Sequence, residues 1–350
     1  MDQRCAQLKN WLEQELPKLD TYDGCEWQLS AVSGDASFRR YFRAQSGDMS
    51  WIAVDAPPEK ENSLPFVTIA GELESAGISV PHIHAHDLSQ GFMLLEDFGD
   101  DLYMAKLNET TVGRLYGQAL DTLLAMQECQ PSNGRMFPLY DRPLLSREVE
   151  LFREWFLQKL LGMTLDEQEQ EMVEFLFNYV IDAALEQPTV FVHRDYHSRN
   201  LMYRENKAPG VIDFQDAVEG PLTYDLVSIL RDCYISWPDE QVYEWVEDFR
   251  LSLIERGKVL PDSIYFKRWF DLMGAQRHLK AIGIFVRLNI RDGKSGYLAD
   301  IPRTMNYLIA VAAKTEELKP IAGWLVQKVV PQMRQSPYFE ANVLDNWVVE

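Results

Sequence analysis

The chain of 350 residues carries 54 Asp plus Glu against 34 Lys plus Arg, a formal net charge of -20, and so acidic a surface is a poor partner for DNA, RNA or an anionic membrane. Hydrophobic residues make up 46% and aromatics 12%, which supplies a sizeable core and excludes wholesale disorder. The apolar runs fall far short of the roughly 20 residues of a spanning helix, the N-terminal segment is charged rather than built like a secretory leader, and the four cysteines are scattered without metal or redox spacing; together these predict a cytoplasmic protein.

Leu8, Trp11, Leu12 and Leu16 recur at helical spacing before Pro17, predicting an opening amphipathic helix. The period then shortens to two. Strands are predicted at Glu26–Ser33, Phe38–Gln45 and Trp51–Asp55, separated by the turn-rich stretches SGDAS and SGDMS, as an antiparallel meander. A helix over Leu64–Ala76, capped by Gly77, precedes two further strands at Ile78–Ala85 and Gly91–Leu95. After Gly99, apolar residues at threes and fours predict helices over Thr111–Gln127, Leu144–Leu161 and Asp166–Glu186, the last opened by a capping box from Thr164 to Glu167. A β-rich island spans Thr189–Phe214. Helices then resume over Thr223–Tyr234, Gln241–Arg256, Ile264–Leu288, Ile301–Lys314 and Pro320–Gln332. The plan is an α+β, two-lobed chain: a small antiparallel β lobe at 1–95, a connection at 96–99, and a larger, mainly helical lobe at 100–350.

Within the island, His193-Arg194-Asp195-Tyr196-His197-Ser198-Arg199-Asn200 fits H-R-D-x-x-x-x-N, the pattern of a phosphoryl-transfer catalytic loop. An apolar strand precedes it and another follows, and thirteen residues after Asn200 a further strand ends at Asp213. Phosphoryl transfer asks the protein for positioning and charge neutralisation rather than covalent chemistry. A carboxylate must orient the attacking hydroxyl and take its proton, which is the place of Asp195. Mg²⁺ requires hard oxygen ligands from more than one segment and leaves positions for phosphate and water; Asn200 and Asp213 supply them. The plainer alternative is a polar turn with an ordinary cap at Asp213, and it leaves the joint spacing and flanking strands unexplained.

The segments SGDASFRRYF, MLLEDFG, HRDYHSRNLM and IDFQDAVEGPLTYDLVSILRD resemble the aminoglycoside phosphotransferase and choline kinase family of small-molecule kinases, and the likeness covers nearly the whole chain. The resemblance implies a protein-kinase-like bilobal fold, ATP as co-substrate and Mg²⁺ as cofactor. It makes Asp195 the base, Asn200 and Asp213 the metal ligands, and His197 a neighbour of the transferred phosphate. Gln215 replaces the Gly of D-F-G and no A-P-E follows, which argues against a regulated activation loop. For the nucleotide, Ser33, Gly34 and Ser37 offer turn amides and hydroxyls to phosphate, Ala53 lies in the third strand, and Leu95, Glu96 and Asp97 present the connection to adenine. Asp55 occupies the place of the phosphate-gripping Lys. The missing cation is expected from Arg40, or in competition with it from Arg39 or Arg43 on the other side of the strand, with Lys60 as the remaining source.

The acceptor pocket is expected beyond the catalytic loop, lined by Arg231, Asp232, Tyr234 and Trp237. There Trp237 would stack on a pyranose, Asp232 accept hydroxyls and Arg231 meet a carboxylate. The acceptor implied by the resemblance is an amino sugar, N-acetylmuramate or N-acetylglucosamine, phosphorylated at its anomeric hydroxyl in peptidoglycan recycling. The chain would act as a monomer without nucleic-acid or membrane partners. An aminoglycoside or amino alcohol suits the acidic balance equally well. Asp55 also leaves open a module that binds nucleotide without turnover, against which stand the intact Asp195, Asn200 and Asp213.

Overall fold

The computed structural model describes residues 2–32, 38–131 and 136–339. Its strands are β1 (Gln28–Ala31), β2 (Arg40–Ser46), β3 (Met49–Asp55), β4 (Ile83–Asp87), β5 (Phe92–Glu96), β6 (Thr189–Val192), β7 (Leu201–Met202), β8 (Gly210–Val211) and β9 (Val218–Pro221). The principal helices are α1 (Gln3–Glu15), α2 (Leu64–Ser75), α3 (Tyr103–Lys106), α4 (Val112–Gln127), α5 (Arg142–Leu151), α6 (Glu167–Leu185), α7 (Tyr224–Leu230), α8 (Asp239–Glu255), α9 (Ser263–Asp292) and α10 (Ile301–Lys314). The chain forms two compact units, Met1–Met136 with Arg199–Ala217, and Phe137–Ser198 with Val218–Glu350.

In the first unit an antiparallel sheet runs in the order β1-β2-β3-β5-β4. Strand alternation gathers Trp51, Ala53, Phe92 and Leu94 on one face, and α1 covers it with Leu8, Trp11 and Leu12. The opening helix is thereby fastened to the sheet by apolar burial. α2 buries Phe66, Ile69, Ala70 and Leu73. The predicted strand from Ile78 starts later, at Ile83. Pro81 has no N–H for a ladder, and the Ser79 carbonyl instead accepts from Val211 N at 2.8 Å, tying the β7–β8 ribbon to this unit.

The second unit is assembled around the 30-residue α9, against which α5, α6, α7, α8 and α10 all pack. Gly283 lets α5 come close: a Cβ there would lie 2.5 Å from Leu151 Cβ and 2.6 Å from its carbonyl oxygen. The capping box of α6 pairs Asp166 with Glu169, whose N–H donates to Asp166 at 2.9 Å while the Glu169 carboxylate accepts from Asp166 N at 3.1 Å. It sits two residues beyond the predicted box. β6 and β9 pair antiparallel, so the β island extends past its predicted end at Phe214. α7 stops at Leu230, short of the predicted Tyr234, because Arg231 leaves helical geometry at φ -119° and ψ 53°. No helix among the described residues is long and apolar enough to cross a membrane.

Candidate active site

β6 delivers the chain into the loop that holds Asp195. Arg194 adopts a left-handed φ of 77°, a conformation that costs a non-glycine residue energy unless its surroundings enforce it. The enforcement comes from Asp225 at the start of α7, whose carboxylate accepts from His193 N at 2.6 Å and Arg194 N at 3.1 Å. Burial pushes the Asp225 carboxyl up to about 7; the two N–H donors oppose this, and the charge of Asp195 adds to it. At the other end of the loop, Asp232 accepts from Ser198 N at 2.9 Å, Ser198 Oγ at 2.5 Å and Tyr234 N at 2.9 Å. Two buried carboxylates thus pin the loop on either side of the half-buried Asp195. Burial pushes the Asp195 carboxyl up, and the charges of Lys280, His197, Arg194 and Arg277 outweigh it, so the group lies below its ordinary range and is ionised.

Two of those cations, Arg194 and Lys280, are themselves held in place. Glu148 of α5, 6% exposed, pairs with Arg194 and with Lys280 at 3.3 Å and accepts from the Tyr140 hydroxyl. Lys280 also donates to the Tyr224 hydroxyl at 2.9 Å. Sequence reasoning missed Asp225, Glu148 and Lys280. A signal for them existed, since each is a charged residue set among buried apolar neighbours: Glu148 beside Leu145 and Val149, Lys280 beside Leu279 and Ile282, Asp225 beside Leu226 and Val227.

The expected metal ligands lie together in the first unit. Asn200 Nδ2 donates to Asp213 Oδ2 at 3.3 Å, Gln215 Nε2 donates to Asp213 Oδ1 at 2.8 Å, and Ile212 N donates to the Asn200 carbonyl at 3.1 Å. Asp213 is left-handed at φ 66°. The neighbouring Phe214 stacks on Phe66 of α2 with centroids 4.8 Å apart. Turning the Asn200 amide over places its oxygen beside the Asp213 carboxylate, and two hard oxygens suit a magnesium ion that takes its other ligands from phosphate and water. Among the described residues no group of three His, Cys, Asp or Glu offers a metal site built from protein alone.

On the nucleotide side, Ser33, Gly34 and Ser37 lie outside the described residues. Asp55 faces α1: its carboxylate accepts from Arg4 Nε at 2.9 Å and Arg40 Nε at 3.0 Å, and Arg40 also reaches Asp2 at 3.2 Å. Ala53 shares that face, in the core against α1. Arg40 and Ala53, expected at the nucleotide, thus both belong to the α1 side of the sheet, Ala53 and Asp55 because residues two positions apart on a strand keep the same face. Arg43 is bound to Asp97 at 2.5 Å and Asp100 at 2.8 Å. Arg39, 7% exposed, lies 3.5 Å from Glu61, just ahead of α2. At the connection, Leu95 is inside the ladder and Glu96 N donates to the His82 carbonyl at 2.8 Å. Asp97 is the first residue beyond the sheet, its carboxylate also accepting from Gly99 N at 2.9 Å.

The acceptor residues are split. Arg231 is 2% exposed, paired with Asp271 at 2.7 Å and donating to the Tyr243 hydroxyl at 3.0 Å. Asp232 is fully buried and spends its carboxylate on the loop. Neither turns its charge outward, because the early end of α7 folds both into the interior. Tyr234 stands edge-on to His197 with centroids 5.2 Å apart, and the half-buried Trp237 packs edge-on to Trp245 at 6.4 Å.

One unit with an antiparallel sheet and an amide–carboxylate pair fit for magnesium, and a mainly helical one with an ionised loop carboxylate, are the parts of a phosphotransferase of protein-kinase-like architecture. The model of the phosphotransferase enzyme family matches residues 28–259, and the chain belongs to that family. It is 44% identical over 331 residues to the N-acetylmuramate/N-acetylglucosamine kinase of Pseudomonas aeruginosa, covering 93% of this chain and 96% of the relative. With the kinase of the same name from Neisseria meningitidis the identity is 38% over 333 residues, covering 93% and 96%. Among solved structures, choline kinase from Cryptosporidium parvum superposes with a TM-score of 0.62 at 12% identity, over 91% of this chain and 99% of that one. An ADP-bound aminoglycoside phosphotransferase gives 0.57 at 14% identity, over 86% and 97%. The α+β, protein-kinase-like bilobal fold expected from the sequence is the fold found.

Proposed function

We propose that the chain is an ATP- and magnesium-dependent kinase that phosphorylates the anomeric hydroxyl of N-acetylmuramate and N-acetylglucosamine, giving the sugar 1-phosphate. The observation that carries this reading is the 44% identity, over 93% of the chain, with a kinase named for those two sugars. In this reading residues 1–95 hold the nucleotide, 96–99 form the hinge and 100–350 supply catalysis and the acceptor site; the enzyme works as a monomer in the cytoplasm.

Asp195 accepts a hydrogen bond from the anomeric hydroxyl and so aims its oxygen at the γ-phosphorus. As the new P–O bond forms, the bond from the γ-phosphorus to the β–γ bridging oxygen breaks, ADP leaves, and the hydroxyl proton passes to Asp195. The charges of Arg194 and Lys280 keep Asp195 ready by holding it deprotonated. Asn200 and Asp213 would hold a magnesium ion, which would supply neutralisation of phosphate charge. Arg39 beside Glu61 is the cation that stands in for the absent strand Lys. Asp97 and Phe98 offer backbone groups to adenine, and Tyr234 with Trp237 faces the sugar ring. ADP release should be followed with both sugars, an aminoglycoside, choline and ethanolamine as acceptors. Turnover with the two sugars is expected; turnover confined to an aminoglycoside or amino alcohol would move the enzyme to another branch of the family, and no turnover with any acceptor would leave a nucleotide-binding module.

A further inference from the structure

α9 carries Gln276, Arg277, His278 and Lys280 through the interior of the second unit, each less than a tenth exposed. Lys280 is neutralised by Glu148 and bonded to Tyr224. Among the described residues Arg277 has no such partner. It is 5% exposed, and among the described residues its one hydrogen bond runs from Nη1 to Cys233 Sγ at 3.5 Å, while Nε makes none. A guanidinium presents five donors, and a buried one left without an acceptor opposes folding. The group cannot escape by losing its proton: burial works against its charge, and Cys233, Tyr224, Asp232 and Asp195 outweigh that and hold it charged.

The location gives the orphaned donors a purpose. Cys233 follows Asp232, whose carboxylate grips Ser198, three residues beyond Asp195. Lys280, one helical turn further along α9, belongs to the Glu148–Arg194 group on the same loop. The helix thus lays two cations along the catalytic loop, one already ion-paired within the protein and one that, among the described residues, has no carboxylate in direct contact. A second donor nearby is in the same condition: Tyr307 of α10 stacks on His278 at 4.9 Å, and its buried hydroxyl has no hydrogen-bond partner among the described residues. Arg231, the residue expected to meet an acceptor carboxylate, is already paired with Asp271.

We propose that Arg277 binds an oxyanion of the reacting pair beside Asp195, its guanidinium fork taking up carboxylate or phosphoryl oxygens. The inference rests on the kinase reading above, and two groups supply that chemistry: the lactyl carboxylate, present on N-acetylmuramate and absent from N-acetylglucosamine, and the phosphoryl group in transfer. The test is steady-state kinetics of the full-length wild type, Arg277→Gln and Arg277→Lys on both sugars, with thermal melts of all three.

If the carboxylate is the ligand, Arg277→Gln raises KM for N-acetylmuramate by roughly ten- to a hundredfold, the usual worth of a charge-assisted hydrogen bond, and leaves N-acetylglucosamine kinetics unchanged. If the phosphoryl group is the ligand, kcat falls by a similar factor with both sugars. In either case Arg277→Lys, which keeps the charge without the fork, recovers part of the loss. Unchanged KM and kcat for Arg277→Gln on both sugars overturn the proposal. So does a loss that tracks a falling melting temperature in both variants alike, which marks a purely structural residue. The wild type reports separately on the parent reading: should it use neither sugar, that reading fails, and the same variant comparison on the acceptor it does use still decides the role of Arg277.

Discussion

Asp195 is kept ionised by cations set around a half-buried carboxyl, and that arrangement makes its removal informative. Asp195→Asn retains the shape and deletes the proposed proton acceptor, so kcat should fall by roughly 10²–10⁴-fold while nucleotide binding and the melting temperature hold; a variant keeping half of wild-type kcat would show that another group takes the proton. The arginines near the sheet separate by face. Arg39→Ala should raise KM for ATP, whereas Arg40→Ala, which leaves the buried Asp55 with Arg4 as its remaining ion-pair partner, should lower stability with little change in that KM; titration of both variants with ATP distinguishes the two effects, and an unchanged KM for Arg39→Ala would return the role to Lys60.

Asp225 makes stability depend on pH. Its folded carboxyl titrates near 7 against an ordinary 3.8, so between those values the unfolded chain has released a proton that the folded chain retains. The contribution is complete below about 3.8 and is lost as pH rises through about 7. Denaturant melts should show the wild type losing stability relative to Asp225→Asn across that window, by at most about 1.4 kcal/mol per pH unit, and staying level above it. A difference that is flat from acid to neutral pH would assign the titration elsewhere. Asp195, Asn200 and Asp213 could be named as candidates from the sequence because the motif is local. Arg39 and Arg40 were not separable, since which one faces α1 depends on a register that the chain alone leaves open.

Helices were legible by period, and their ends by caps, but with characteristic errors. The acidic run at the start of α6 holds more than one plausible box, and the hydrogen bonds select Asp166 with Glu169 over the pair two residues earlier. β4 was displaced because Ile78–Val80 looks apolar enough for a strand, while the Ser79 carbonyl is engaged by Val211. Neither α3 nor the end of α7 had a clear period to announce it. What periodicity cannot convey is how closely elements approach. Gly283 at the α9–α5 crossing is the sharpest case: Gly283→Ala forces a methyl onto Leu151 and should destabilise the protein by about 1–3 kcal/mol, measured as a shifted urea midpoint. An unshifted midpoint would mean that α5 can move aside without cost.

Across the whole chain, the kinase-like motif passes from one compact unit to the other between Ser198 and Arg199, so Asp195 belongs to one and Asn200 with Asp213 to the other. The family resemblance made the two-lobed fold legible because it rests on segments spread over nearly the full length. The ion-pair group that serves Asp195 remained hidden, because it joins Glu148, Arg194 and Lys280, residues too far apart in sequence for any local pattern to connect. The acidic composition argued against polyanionic partners without choosing among small acceptors, and that choice now rests on the named relatives. It is tested most directly by phosphorus NMR of the product formed from ATP, Mg²⁺ and each sugar. A phosphate signal split by coupling to the anomeric proton is the expected result with both N-acetylmuramate and N-acetylglucosamine; a phosphate on the 6-hydroxyl, or no sugar phosphate beside active turnover of an aminoglycoside, would contradict an anomeric amino-sugar kinase.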